Sequence, residues 1–498
     1  MSELKKYVRL LRPVLSLLVA SLAWEGCGTS ARPEVGSRGD TDGQLDAGAG
    51  RRDTGAELGA PFRSLGSRPL VDLDEPAARQ LRWLLEVLGM PELPPPSQLR
   101  ARFSPAFWAE LGEQLPGFLE SVRADFARPT ISDIVMLTPT WCSVVIESSG
   151  SRASALVELS TRLSSEEITM LRIRGVETPS SIAEADRDLE LDEVVEALGT
   201  LGDASVLVAQ GVDGSCREEV SLDAEEPRAV GSVFKLWVLG AVVSRIDQAP
   251  GLLEETIALS EMRFAPSGGL EREGTGLDVS IVDLSTLMMG QSDNTATEHL
   301  FAWVSREAAE RTLRDLGHRH RREIEPFLSP LELFHLHWTV SEIDALEYPS
   351  LAEDAQREFL RERLSDRGPI VDFSSPNDRV LVEGSWKASA LDICRGLARL
   401  SMSSPAEPSH TLLERALGAN AGVFGLRSKW DRVWFKGGSL ESASSGVHVL
   451  ALAWLLQDME GLPEIIIVAV NSSAGGVDQG RVISLGARLV ELRSARGQ

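Results

Sequence analysis

The chain is 498 residues long, 43% hydrophobic and 25% charged, the balance of a folded protein with room for two or three cores rather than of a disordered one. A formal net charge of −24 at pH 7 argues against nucleic acid as a partner, because phosphate binding needs clustered cations. The four cysteines (Cys27, Cys142, Cys216, Cys394) show no C-x-x-C or C-x-x-H spacing, which disfavours zinc and admits a Cys142–Cys216 bridge in an oxidising compartment.

Residues 1–27 read as an export signal. Lys5, Lys6, Arg9 and Arg12 form a basic start, and Val14 to Trp24 form an apolar run too short to span a bilayer. Two processing routes stay open: cleavage after Ser21-Leu22-Ala23, or a bacterial lipoprotein signal with Cys27 lipidated and the chain anchored to a membrane through it. Trp24 and Glu25 depart from the usual lipoprotein pattern. The expected location is the periplasm, the outer membrane as a lipoprotein, or the extracellular space. Residues 28–61, rich in Gly, Asp, Arg, Thr and Ala without apolar periodicity, read as a disordered tether.

Residues 62–180 read as a small α+β accessory domain. Leu81, Leu84, Leu85 and Leu88 mark one helix face closed by Gly89 and Pro91, and Ser104-Pro105 opens another helix. Strand-like runs follow at 134–146, 153–159 and 168–173, as expected of an antiparallel meander. No catalytic constellation falls in this block, so a structural role is favoured over a ligand pocket or docking surface.

From about 185 onward the chain reads as one larger domain. Residues 181–200 are acidic and helical, and 204–211 form a buried strand. The stretch 229–243 is apolar on nearly every side, as a fully buried helix would be, and is interrupted by Ser232 and Lys235. Three residues apart on a helix, the hydroxyl and the amine share a face close enough to meet. Ser232 sits near the helix start, where free N–H groups favour a developing anion. Six lysines stand against 44 arginines among the 50 basic residues, so a lysine retained inside this stretch points to the one cation that can shed its proton when buried. Downstream, 278–289 leads into Gly290-Gln291-Ser292-Asp293-Asn294 and a helix over 295–303. The segment 341–367 is polar with helical composition, 385–400 is another helix, and strands at 433–439, 447–455 and 465–470 precede a closing helix at 479–492. One strand before Ser232, three at the end and helices between them predict an α/β (α+β) sandwich with a mostly antiparallel sheet.

Three motifs now stand in order: Ser232-Val233-Phe234-Lys235, Ser292-Asp293-Asn294 and Lys436-Gly437-Gly438-Ser439. Singly, each has a plainer explanation, as a snorkelling amine, a helix cap and a turn. Together they resemble the S-x-x-K, S-D-N and K-T-G set of the serine penicillin-recognising enzymes, which include class A β-lactamases and penicillin-binding proteins. The resemblance covers 185–498. With Phe103-Ser104-Pro105-Ala106-Phe107 in the preceding block, it is nearest to the two-domain β-lactamase-like proteins of clavulanic acid gene clusters, where a curved steroid-isomerase-like sheet domain precedes a β-lactamase/transpeptidase-like sandwich.

The resemblance implies Ser232 as the acylated nucleophile, Lys235 as its base, Ser292 as a proton shuttle, and Asn294 as a partner of Lys235 or the substrate amide. It implies Lys436 as the holder of a substrate carboxylate, and the N–H groups of Ser232 and Ser439, beside Gly438, as the oxyanion hole. Gly437 stands where the family has Thr or Ser, which weakens carboxylate recognition or shifts it to Ser439. The family's deacylating loop, E-x-x-L-N, is not matched; Glu325 and Glu332 are the candidates in its place, and Glu332 reads more simply as a helix cap with Ser329 and Pro330. The expectation is a monomeric serine hydrolase for a lactam, an ester or a peptidoglycan-like amide, with no metal or organic cofactor. The alternative is a module that binds or senses such a ligand without turnover.

Overall fold

The computed structural model describes residues 74–494 apart from 127, 149–152, 177–179, 366, 375, 443–444 and 460. The expected export signal, Cys27 and the tether at 28–61 lie outside the described residues.

Helices α1 (Pro76–Gly89), α2 (Pro96–Arg100), α3 (Pro105–Leu111) and α4 (Leu115–Asp125) lead into β1 (Pro129–Thr138), β2 (Trp141–Ser148), β3 (Ser154–Thr161) and β4 (Ile168–Val176). The strands pair in sequence order, all antiparallel. The run expected over 134–146 is thus two strands, divided where Pro139-Thr140 turns the chain. Leu81, Leu84 and Leu88 of α1 join Val144, Ile146, Val157 and Leu159 in one apolar cluster. Ser104 caps α3 by accepting from the Phe107 amide.

The second part begins with α5 (Leu191–Gly199), β5 (Asp203–Val212) and β6 (Ser215–Leu222). A 3₁₀ turn (Gly231–Phe234) follows, then α6 (Lys235–Gln248), α7 (Ile281–Thr286) with a π turn (Leu287–Gln291), α8 (Asn294–Val304), α9 (Arg306–Asp315) and α10 (Pro330–Trp338). The long polar segment is broken into helices Glu342–Glu347 and Glu353–Phe359. After α11 (Ala390–Leu400) and α12 (His410–Leu417), the chain closes with β7 (Arg432–Glu441), β8 (His448–Gln457), β9 (Glu464–Ser472) and α13 (Gln479–Ser494). The five strands pair antiparallel in the order β7-β8-β9-β5-β6.

Strand alternation divides this sheet's side chains between two cores. Val206, Val208, Ile466 and Val468 pack under α5 and α13. Leu207, Ala209, Ile465 and Ile467 face the helical half with α6, α8 and α11. Both faces are covered, which is why these strands read as continuous apolar runs. The result is a mixed α/β layer structure with antiparallel sheets, as the sequence predicts.

The cysteines differ from expectation. Cys216 on β6 is bonded to Cys394 on α11, not to Cys142, which lies buried in β2 with its thiol pushed up to about 12 by burial. The reason is packing: α11 lies on β5 and β6, whereas Cys142 points into the separate core of the N-terminal sheet. The bridge closes a loop of 178 residues, so reduction is expected to lower stability by about 2–4 kcal/mol. Urea unfolding with and without reductant checks this, and coincident curves would contradict it.

Candidate active site

The apolar stretch around Ser232 is not one helix. Its first turn is 3₁₀ over Gly231–Phe234, and the α-helix starts only at Lys235. The break follows from Gly231, whose φ of +49° lies in the left-handed region. Two anchors fix the turn. The Val230 amide donates to the Trp386 carbonyl at 3.0 Å, and the Phe234 ring stacks on Trp386 with centroids 3.6 Å apart. Ser232 is half-buried at the exposed side of this turn, and its neighbours Gly231 and Val233 are buried.

The turn is wedged against β7, the edge strand of the five-stranded sheet. A Cβ on Gly438 would lie 2.3 Å from the Val230 carbonyl oxygen and 2.6 Å from the Ser232 amide nitrogen. A Cβ on Gly231 would lie 2.9 Å from the Ser439 amide nitrogen. Only paired glycines permit this approach, and it brings the backbone of Ser232 and the backbone of Ser439 to one place.

The lysine amine turns away from the expected partner. Lys235 Nζ donates to the Ser292 carbonyl at 2.5 Å, to Ser292 Oγ at 3.1 Å and to Asn294 Oδ1 at 2.7 Å. No hydrogen bond joins it to Ser232 among the described residues. Lys436 Nζ, from β7, donates to the same Ser292 Oγ at 2.9 Å and to the Gly437 carbonyl at 2.6 Å. Both lysines are fully buried. Burial first, and then the Lys436 charge, hold the Lys235 amine well below its ordinary range, and burial brings Lys436 down to about 7. One hydroxyl therefore bridges two amines that shed protons easily.

Ser292 is presented in a left-handed conformation, φ +61°, uncommon for a residue with a side chain. Asp293 starts α8 as its N-cap, accepting from the Ala296 amide at 2.8 Å and from the Leu270 amide at 2.9 Å. Its carboxyl is raised to about 6, mainly by burial. Asn294 closes the same loop, its Nδ2 donating to the Pro266 carbonyl at 2.7 Å. The structure thus brings Lys235, Ser292, Asn294 and Lys436 into one hydrogen-bonded group, next to the turn of Ser232, Gly438 and Ser439.

Neither candidate for the deacylating carboxylate joins this group. Glu325 lies 3.8 Å from Arg321 and beside Glu310 and Glu353. Glu332 is held by Arg306 at 2.5 Å and forms a capping box with Ser329 at the start of α10. Sequence reasoning missed Glu298, one helical turn beyond Asn294 on α8. It is buried, accepts from the Leu331 amide at 2.6 Å, and its carboxyl is raised to about 7 by burial. An i, i+4 step from Asn294 was the signal for it. Among the described residues no group of His, Cys, Asp and Glu is arranged to hold a metal ion.

Residues 191–352 match the model of the beta-lactamase enzyme family. That segment of the chain is similar to the β-lactamase family. The match spans the first two motifs, Ser232–Lys235 and Ser292–Asn294. Solved structures similar to this chain include β-lactamases from Chitinophaga pinensis DSM 2588 and Desulfarculus baarsii DSM 2075. The first is 18% identical, covers 62% of this chain and 98% of its own, with a TM-score of 0.42. The second is 18% identical, covers 60% and 95%, with a TM-score of 0.40. A class A β-lactamase from Mycobacterium abscessus is 16% identical, covers 61% and 100%, with a TM-score of 0.39. No curated protein matches the chain. The N-terminal sheet, β1 to β4, precedes the matched segment.

Proposed function

We propose that this β-lactamase-like protein is a serine hydrolase that forms an acyl-enzyme at Ser232 with a lactam, an ester or a related amide. The observation that carries the reading is the Ser292 hydroxyl held between two buried lysine amines, beside the Ser232 turn. Ser232 Oγ attacks the substrate carbonyl carbon, and its proton passes to the neutral amine of Lys235, which must swing to Ser232 from the Ser292 and Asn294 partners it holds at rest. The N–H groups of Ser232 and Ser439 receive the oxyanion. As the carbonyl re-forms, the bond to the leaving nitrogen or oxygen breaks, and Ser292 hands that atom a proton which the lysines replace. Lys436, in its charged form, draws a substrate carboxylate. Asn294 fixes Lys235 in register.

Of the two candidates for activating water, Glu325 is engaged with Arg321 and Glu332 with Arg306. Slow release of the acyl group is the expected consequence, which keeps the binding-and-sensing module as a second reading of the same chemistry. The Cys216–Cys394 bridge supports export, because such bonds persist in oxidising compartments.

The test compares wild type with Ser232→Ala using a fluorescent penicillin and a chromogenic cephalosporin. Wild type is expected to be labelled stoichiometrically and Ser232→Ala to stay unlabelled. Equal labelling of both, or none of either with lactams and simple esters, would refute the proposal. Fast hydrolysis of the cephalosporin would refute the slow-release reading.

A further inference from the structure

We infer that the turn between β1 and β2 of the N-terminal sheet is a positioning element for Ser292, so that the accessory sheet sets the rate of acylation. The inference rests on the reading of Ser232 as the acylated residue. Three observations carry it.

Gln291, directly before Ser292, has a buried side chain whose amide donates to the hydroxyls of Thr138 and Thr140, the latter at 2.7 Å. Thr138 is in turn fixed by the backbone of Trp141, whose amide donates to it at 3.1 Å. Gly290, one residue earlier, is clamped from two sides. A Cβ there would lie 2.6 Å from the Thr138 methyl carbon and 2.8 Å from the Ala419 Cβ. Finally, residues 419–421 pair with β1 as an added strand would. Leu137 N donates to Ala419 O and Ala421 N to Val135 O, both at 2.8 Å, while Asn420 Nδ2 donates to the Gly290 carbonyl at 3.1 Å.

The π turn Leu287–Gln291 is therefore held in place by residues some 150 positions away. That turn delivers Ser292 in its left-handed conformation, with Oγ 3.1 Å from one lysine amine and 2.9 Å from the other. Left-handed backbone on a non-glycine residue persists only where its surroundings over-determine it. Loosening the hairpin lets Ser292 relax and separates its hydroxyl from the two amines. No atom of Thr138 or Thr140 touches the reacting groups; their action is through Gln291 and Gly290.

The test uses the full chain with Thr140→Val, which removes a hydroxyl bonded to Gln291 and leaves the Thr138–Trp141 turn closed, and with Thr138→Val as the more disruptive change. Hydrogen exchange of peptides spanning 287–294 and the acylation rate with fluorescent penicillin are measured together, over a range of probe concentrations. Thr140→Val is expected to speed exchange in 287–294 and to slow the limiting acylation rate about tenfold, with half-saturating probe unchanged. Thr140→Ser is expected to restore both. Unchanged acylation in both valine variants, whatever the exchange or the melting temperature, would overturn the inference. If wild type takes no label while exchange responds as stated, the reading of Ser232 fails and the hairpin's hold on the Ser292 turn stands.

Discussion

Lys235→Met is expected to slow acylation of Ser232 by roughly a hundredfold to ten-thousandfold, the range a general base contributes. The protein should still fold. Methionine fills much of the space of the buried stem, and removing an amine that burial already holds far below its ordinary range relieves a desolvation cost. Lys235→Arg separates base catalysis from simple charge: an arginine keeps the cation yet cannot lose its proton, so it should be as impaired as methionine. Recovery of activity in the arginine variant would contradict a base role. The pH dependence follows from both amines. Acylation falls on the acid side as Lys235 takes up a proton, and on the alkaline side as Lys436, brought down to about 7, gives up the charge that holds a carboxylate. The two groups share Ser292, so the limbs belong to the pair. The alkaline limb should vanish with an ester that lacks a carboxylate. Stability follows the opposite trend. Between about 7 and the ordinary lysine range the unfolded chain binds the proton that folded Lys436 has lost, so this group's contribution to stability rises with pH through that window. Lys436→Met should flatten that slope in denaturant titrations.

Gly438→Ala is expected to cost at least about a hundredfold in acylation, the penalty of displacing reacting groups by about 1 Å. Every atom the new methyl would meet is backbone: Val230 O at 2.3 Å, Ser232 N at 2.6 Å and Val233 N at 2.9 Å. None can swing aside as a side chain would, so either the 3₁₀ turn or β7 must shift, and the oxyanion donors part. Overpacking of this kind also costs about 1–3 kcal/mol. Stopped-flow labelling with fluorescent penicillin, alongside urea unfolding, reads both effects. A variant with normal labelling kinetics would show that the approach of β7 to the Ser232 turn is not needed for chemistry.

Much of this arrangement was legible from residue types and order. Ser232, Lys235, Ser292, Asn294 and Lys436 stand out because buried amines beside hydroxyls are costly, and a chain that otherwise writes arginine makes its lysines conspicuous. The strands at 204–211 and 465–470 read correctly because both faces of the sheet are covered. What stayed hidden depends on contacts between distant segments. Helical spacing placed the Lys235 amine against Ser232, but the left-handed Gly231 starts the α-helix late, and the amine reaches Ser292 and Asn294 instead. The partner of Cys216 is chosen by how α11 lies on β6, which no spacing rule contains. Gln291 and Thr138 look like ordinary polar residues until the hairpin closes over the π turn.

Acylation at Ser232 is read most directly from the intact mass of the wild-type protein during incubation with benzylpenicillin, followed by peptide mapping of any adduct. Wild type is expected to gain one penicillin mass that persists and maps to the peptide holding Ser232. An unchanged mass with no product released, from benzylpenicillin and from simple esters alike, or an adduct on any other residue, would contradict acylation at Ser232.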